Sequence, residues 1–187
     1  MAKQVLILKA SPRQWGNSAV LADQLAQGAL SSGAEVETIS LHVQDIRPCD
    51  ACDLCRENGG DCVIDDDMQP LYPKLRQADA IVIATPVYWF TLSAQAKLFI
   101  DRWYALLGEK PNPLSGKQFA LLLTYGDEDL DTSGGIHALD TFKHMVRYLR
   151  GELVGYVHGS ASDPGDVQKQ PSLLEEAYQL GKMLGAQ

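Results

Sequence analysis

The sequence predicts an α/β fold in which a five-stranded parallel sheet carries helices on both faces. Three observations lead there. Short apolar runs of strand length alternate with helically spaced apolar residues along the whole chain. The runs are continuous rather than alternating, as strands covered on both sides require. A helical pattern stands between successive strands, which is the crossover that parallel pairing needs.

The elements follow in order. Val5-Leu6-Ile7-Leu8 is the first strand, and Ala22, Leu25, Ala26 and Ala29 mark a helix from Ser18 to about Ser31, ended by Gly33. Val36 to Ser40 is the second strand. A helix is expected near Met68, with Pro70 and Pro73 in its first turn and Asp65-Asp66-Asp67 ahead of it as capping acids. Ala80 to Ala84 is the third strand. From Ser93 a helix places Ala96, Phe99, Trp103 and Leu107 on one face. Phe119 to Leu123 is the fourth strand. The next helix carries Leu139, Phe142, Val146 and Leu149 and is closed by Gly151. Leu153 to Val157 is the fifth strand, and Leu173, Ala177, Leu180 and Leu184 give the last helix.

The 187 residues read as one domain, residues 1–187, with a loop insertion at about 46–67. A net charge of -8 repels phosphate backbones, so nucleic acid is not an expected partner. No apolar run is long enough to span a bilayer, and no signal peptide is expected ahead of the first strand, so the expected location is the cytoplasm. The histidines lack ligand spacing, and no G-x-S-x-G elbow supports hydrolase chemistry.

Ligands of open parallel sheets bind beyond the carboxyl ends of the strands. After the first strand comes Ala10-Ser11-Pro12-Arg13-Gln14-Trp15-Gly16-Asn17-Ser18, a polar loop running into a helix. Its hydroxyls, its arginine and the free N–H groups of the helix suit a phosphate, but the loop reads equally as a capped helix start. Neither a Walker A pattern nor G-x-G-x-x-G is present. After the third strand comes Thr85-Pro86-Val87-Tyr88-Trp89-Phe90, whose adjacent aromatics could flank a flat heterocycle or pack on the neighbouring helix. Together the two turns suggest a mononucleotide.

The Ser11-Pro12-Arg13-x-x-Gly16-Asn17-Ser18 loop, Ala78-Asp79-Ala80, Thr85-Pro86-Val87-Tyr88 and the segment from Ser93 to Arg102 resemble the NADPH-dependent FMN reductase-like branch of the flavodoxin superfamily. The resemblance covers about residues 4 to 104. It implies a flavodoxin-like three-layer sandwich of strand order 2-1-3-4-5 that binds FMN without a covalent link. It places Ser11, Arg13, Asn17 and Ser18 around the phosphate and Pro86, Val87, Tyr88, Trp89 and Phe90 along the isoalloxazine. Tyr125 and Gly126 would close the other side of the ring. NAD(P)H is implied as a transient co-substrate, with a small molecule or a redox protein as electron acceptor. Members often start the loop with glycine, where this chain has Ala10. A homodimer or homotetramer is implied, and Trp89, Phe90, Trp103 and Tyr104 are candidate contacts. Asp101-Arg102 reads as a structural ion pair or an oligomer contact.

All four cysteines fall within Cys49-x-x-Cys52-x-x-Cys55 followed by Cys62. This pattern resembles the iron–sulfur flavoproteins of the same superfamily. Thiolates at three-residue steps in a bent loop can reach separate corners of a 4Fe-4S cluster, and Gly59-Gly60 lets Cys62 swing back. A metal-free loop, a zinc site and a thiol switch stay open beside it. With a cluster, the alternative function is an electron carrier.

Overall fold

A computed structural model describes residues 2–186. Five parallel strands form the sheet: β1 (Gln4–Lys9), β2 (Glu35–Ser40), β3 (Ala80–Tyr88), β5 (Gln118–Tyr125) and β6 (Glu152–Ser160). Their order, β2-β1-β3-β5-β6, is the expected 2-1-3-4-5 path. A short β4 (Thr91–Leu92) pairs antiparallel with the end of β3. Helices α1 (Asn17–Ser31) and α6 (Pro171–Gly185) cover one face. Helices α3 (Leu71–Gln77), α4 (Ala94–Asp101) and α5 (Gly135–Leu149) cover the other, with a 3-10 stretch at Arg102–Gly108. A single-turn helix, α2 (Leu54–Glu57), lies in the cysteine loop. Among the described residues no helix is long and apolar enough to cross a membrane.

The continuous apolar strands serve two cores. Leu6, Leu8, Ile81, Ile83, Phe119, Leu121 and Leu123 point one way, and Val5, Ile7, Ala80, Val82, Ala84, Ala120 and Leu122 the other. The two layers are packed differently. The α3/α4/α5 side is filled with rings: Phe99 meets Trp103 edge-on at 5.5 Å, and Phe119 meets Phe142 at 6.5 Å. On the α1/α6 side, glycines let the two helices touch backbone to backbone. A Cβ on Gly181 would collide with the carbonyl of Leu25, and one on Gly28 with that of Tyr178.

Several local expectations change. Strand β3 does not end at Ala84 but runs on to Tyr88, turns over Trp89 and Phe90, and returns through β4. Both turn residues have positive φ, 47° and 65°, as a two-residue hairpin turn demands. Gly33 does take positive φ after α1, but α5 is closed by Arg150 in the left-handed region rather than by Gly151. Gly151 is needed for another reason, since its Cα passes against the Phe119 ring. Helix α3 starts at Leu71, with no side-chain cap from the acids before it. Trp103 is buried, so it cannot serve as an exposed subunit contact. Arg102 does not pair with Asp101, which instead holds Lys97 one helical turn away.

Replacing Gly181 by alanine forces α1 and α6 apart. Urea unfolding should show a loss of about 3 kcal/mol relative to the parent, and an unchanged midpoint would rule out this contact as a packing constraint.

Candidate functional site

The carboxyl ends of β1 and β3 lie side by side, and hydrogen bonds fix how their loops leave. Ala10 N–H donates to the Ala84 carbonyl at 2.8 Å. The buried Ser93 hydroxyl donates to the Ala10 carbonyl at 2.9 Å, and Ser93 N–H donates to Thr85 Oγ1 at 3.1 Å. The first loop, the end of β3 and the start of α4 are thereby joined. Above them opens a cleft of about 250 Å³.

One end of the cleft suits an anion. The amides of Asn17 and Ser18 precede the first intrahelical bonds, which Ala19 and Val20 make to the Gly16 carbonyl. Ser18 lines the cleft, and its Oγ is buried with no partner among the described residues. A buried hydroxyl without a partner is costly unless a ligand completes it. Gly16 keeps the loop tight, since a Cβ there would stand 2.6 Å from Ser11 Oγ. Ser11 Oγ accepts from Arg13 N–H at 3.1 Å and shapes the turn. The Arg13 side chain is exposed and forms no ion pair among the described residues.

Asn17 has a different job from the one expected of its side chain. Its amide donates to the carbonyls of Ala161 (3.1 Å) and Asp163 (2.9 Å), and its Oδ1 accepts from Gly165 and Val167. The side chain is fully occupied in clamping the loop after β6, leaving its backbone amide for a ligand.

The other end of the cleft is formed by Pro86, Val87 and Tyr88 on β3 and by Tyr125 and Gly126 after β5. Thr124, Ala161 and Ser162 also line it, and sequence reasoning passed them over. Each stands at the carboxyl end of a strand, the one signal that marks them. Trp89 and Phe90 do not line the cleft. Trp89 is 92% exposed on the hairpin tip, and Phe90 packs on Gly134. The Tyr125 hydroxyl hydrogen-bonds His158 Nδ1 at 3.0 Å, and burial, with some help from Asp129, pushes its pKa up. It is neutral at physiological pH.

The four cysteines converge on a second, small pocket together with Arg102 and Tyr104. Cys49 and Cys52 are exposed and Cys55 is buried; burial pushes the Cys55 thiol up, and the other three thiols add to the shift. Among the described residues no group of three or more His, Cys, Asp or Glu stands close enough to hold a metal ion. The loop is held from beneath by a fully buried ion pair. Arg102 Nη1 donates to Asp66 Oδ2 at 2.5 Å and to the Arg47 carbonyl at 2.9 Å, while Nη2 reaches Cys62 Sγ at 3.3 Å. Asp66 also accepts from the amides of Arg47 and Met68. Burial alone would raise the Asp66 carboxyl, but the Arg102 guanidinium and these amides outweigh it and hold it below the ordinary carboxylate range. Asp67 accepts from Asp45 N–H at 2.7 Å. These acids therefore latch the two ends of the cysteine loop together instead of capping α3.

Two measurements check these assignments. Asn17→Ala removes the clamp, and should lower stability by about 2 kcal/mol and raise amide exchange across residues 161–167. Uniform exchange across both proteins would dismiss the clamp. Asp66→Asn leaves Arg102 buried beside a neutral group and should cost about 3 kcal/mol at pH 7. Because the folded-state pKa is depressed, this stabilisation is complete above the unfolded value near 4 and is lost as pH falls through the folded value. The gap between parent and variant should therefore close as the pH falls through the depressed folded value. A gap independent of pH would contradict the ion-pair account.

A family model described as NADPH-dependent FMN reductase matches residues 4–162. The chain is 30% identical over 184 residues to YwqN of Bacillus subtilis (strain 168), whose name is that of an NAD(P)H-dependent FMN-containing oxidoreductase; the match covers 96% of this chain and 97% of that protein. It is 33% identical over 177 residues to an iron–sulfur flavoprotein of Archaeoglobus fulgidus, covering 93% of this chain and 75% of that one. Among solved structures, the Trp repressor binding protein from Bacillus subtilis superposes with a TM-score of 0.72 at 26% identity, over 94% of this chain and 99% of that one. With a family model spanning most of its length and a relative matched nearly end to end, the chain belongs to the NADPH-dependent FMN reductase family.

Proposed function

We infer that the cleft over β1, β3 and β5 is where this NAD(P)H-dependent FMN oxidoreductase holds its FMN. The observation that carries the reading is the buried, unpartnered hydroxyl of Ser18 at the amide-lined start of α1. The phosphate would be held by the amides of Asn17 and Ser18, by the hydroxyl of Ser18 and by the charge of Arg13. Pro86, Val87 and Tyr88 would lie along one edge of the ring, with Tyr125 and Gly126 on the other. Bound FMN would supply the redox chemistry that links NAD(P)H to an electron acceptor. The chain's own part is to orient, to shield and to stabilise charge. Residues 86–88 and 125–126 would line the ring's place, and the neutral Tyr125, tied to His158, would form a fixed wall. The acceptor, a small molecule or a redox protein, would enter the same open cleft. Exposed Tyr88, Trp89 and Phe90 at its rim offer apolar surface for a second copy in a homodimer or homotetramer.

Purified protein reconstituted with FMN should be yellow and should bleach on addition of NAD(P)H. Arg13→Ala and Ser18→Ala should each weaken FMN binding about tenfold or more, read by flavin fluorescence. Unchanged affinity in both variants would move the phosphate elsewhere.

A second reading is favoured by the convergence of Cys49, Cys52, Cys55 and Cys62 on one pocket. By chemistry four thiols are the donor set of a 4Fe-4S cluster, although as placed here they do not stand close enough together to hold a metal ion, and several relatives bear the name iron–sulfur flavoprotein. In that case the protein is an electron carrier. An anaerobic assay should then find about four iron and four sulfide per chain, whereas a metal-free yellow protein with full turnover leaves the loop structural.

A further inference from the structure

Helix α5 has ends of opposite charge. Ahead of its first turn stand Asp127, Glu128, Asp129 and Asp131, all exposed and none in an ion pair among the described residues. At its far end Arg147 and Arg150 are exposed and equally without an acidic partner among those residues. The length of the helix, roughly 20 Å, separates the two groups. The β3–β4 hairpin belongs to the acidic end, because Phe90 packs on Gly134 just before the helix.

An apolar groove of about 250 Å³ lies at the basic end, between α5 and the end of α4 with the 3-10 stretch after it. Ile100, Tyr104, Leu107, Met145, Tyr148 and Leu149 line it, and Asp101, the charged residue of its lining, is held by Lys97. Ile100, Tyr104, Leu107 and Met145 rest on the core with their other side uncovered, and Tyr148 is 74% exposed. The chain also holds out a projection of matching chemistry. Trp89 is almost wholly exposed at the hairpin tip, in a left-handed turn that bulky residues rarely adopt.

We propose that this groove receives Trp89 from a second copy of the chain. Hairpin and groove sit at opposite ends of one helical layer. A twofold axis that seats one hairpin in the partner's groove therefore seats the partner's hairpin in the first groove, as an isologous dimer requires. The same operation lays the acidic end of each α5 over the basic end of the other. Two chains of net charge -8 thus meet with opposite signs facing. The exposed parts of Tyr88, Trp89, Phe90 and Tyr148 amount to on the order of 500 Å² per copy. With the walls they cover, two copies reach roughly 2,000 Å², the size of a stable dimer interface. Tyr88 also lines the cleft, so a seated hairpin steadies one of its walls in each copy. The contact rests on the homo-oligomer reading and is independent of what the cleft binds.

Sedimentation velocity on the full chain reads the assembly, and the parent should run as a dimer or larger. Trp89→Asn suits the left-handed turn, and Tyr148→Glu puts a charge into the groove. Each should raise the dissociation constant at least about thirtyfold with an unchanged circular dichroism spectrum. Trp15→Ala, which removes another exposed indole, should leave association unchanged. Mixing the two weakened variants should restore part of the association, because the intact hairpin of the Tyr148→Glu chain meets the intact groove of the Trp89→Asn chain. A mixture that associates no better than either variant alone overturns the reciprocal contact. A parent whose association survives both substitutions keeps the homo-oligomer but moves it to another surface, which overturns the groove. A parent that stays monomeric overturns the groove and the homo-oligomer reading together.

Discussion

Strand β1 is the member on which the rest of the structure depends. It is paired along its whole length to β2 on one side and to β3 on the other, so its register fixes both. Lys9 and Ser40 end level with one another and with Ala84 inside β3, which is in turn level with Leu122 of β5. Both sheet faces are closed by helices, which leaves the carboxyl edge as the place where polar backbone and side chains can gather. The first loop leaves this edge at the point where the chain has built on both sides of β1. The cleft over β1, β3 and β5 is the result.

The two layers of the sandwich are stabilised differently. One packs aromatic rings around Phe119; the other brings α1 against α6 through glycines at 28, 181 and 185. The second layer also carries the start of α1 at one end of the cleft, so the position of α1 is set by backbone contact rather than by flexible side chains. A helix start located this rigidly has little freedom to shift its free amides.

Most of the architecture was legible because its signals are local. Apolar runs give strands, helical spacing gives crossovers, and the handedness of parallel connections leaves few arrangements. The loop after β1 was legible as a lining of the cleft, but the work of its side chains was not. Asn17 reads as a ligand from sequence because nothing nearby competes for it; the competing carbonyls of Ala161 and Asp163 arrive from more than 140 positions away. Trp89 and Phe90 were misplaced for a related reason. Glycine and asparagine usually mark a two-residue hairpin turn, so two bulky aromatics at positive φ concealed it. The acids at 65–67 looked like a helix cap because their partners, Arg102 and the 45–47 backbone, are remote in sequence.

The Asn17 clamp also has a consequence for the order in which the protein becomes functional. It ties the first loop of the chain to residues 161–167, and Ala161 and Ser162 are themselves a wall of the cleft. A growing polypeptide on the ribosome therefore holds the start of α1 long before the segment that steadies it has been made. Until β6 and the turn after it emerge, the Ser18 hydroxyl and its neighbouring amides face water on one side. On the reading that this cleft takes FMN, cofactor capture would be a late event in biosynthesis, coupled to completion of the C-terminal part of the fold rather than to folding of the first loop itself.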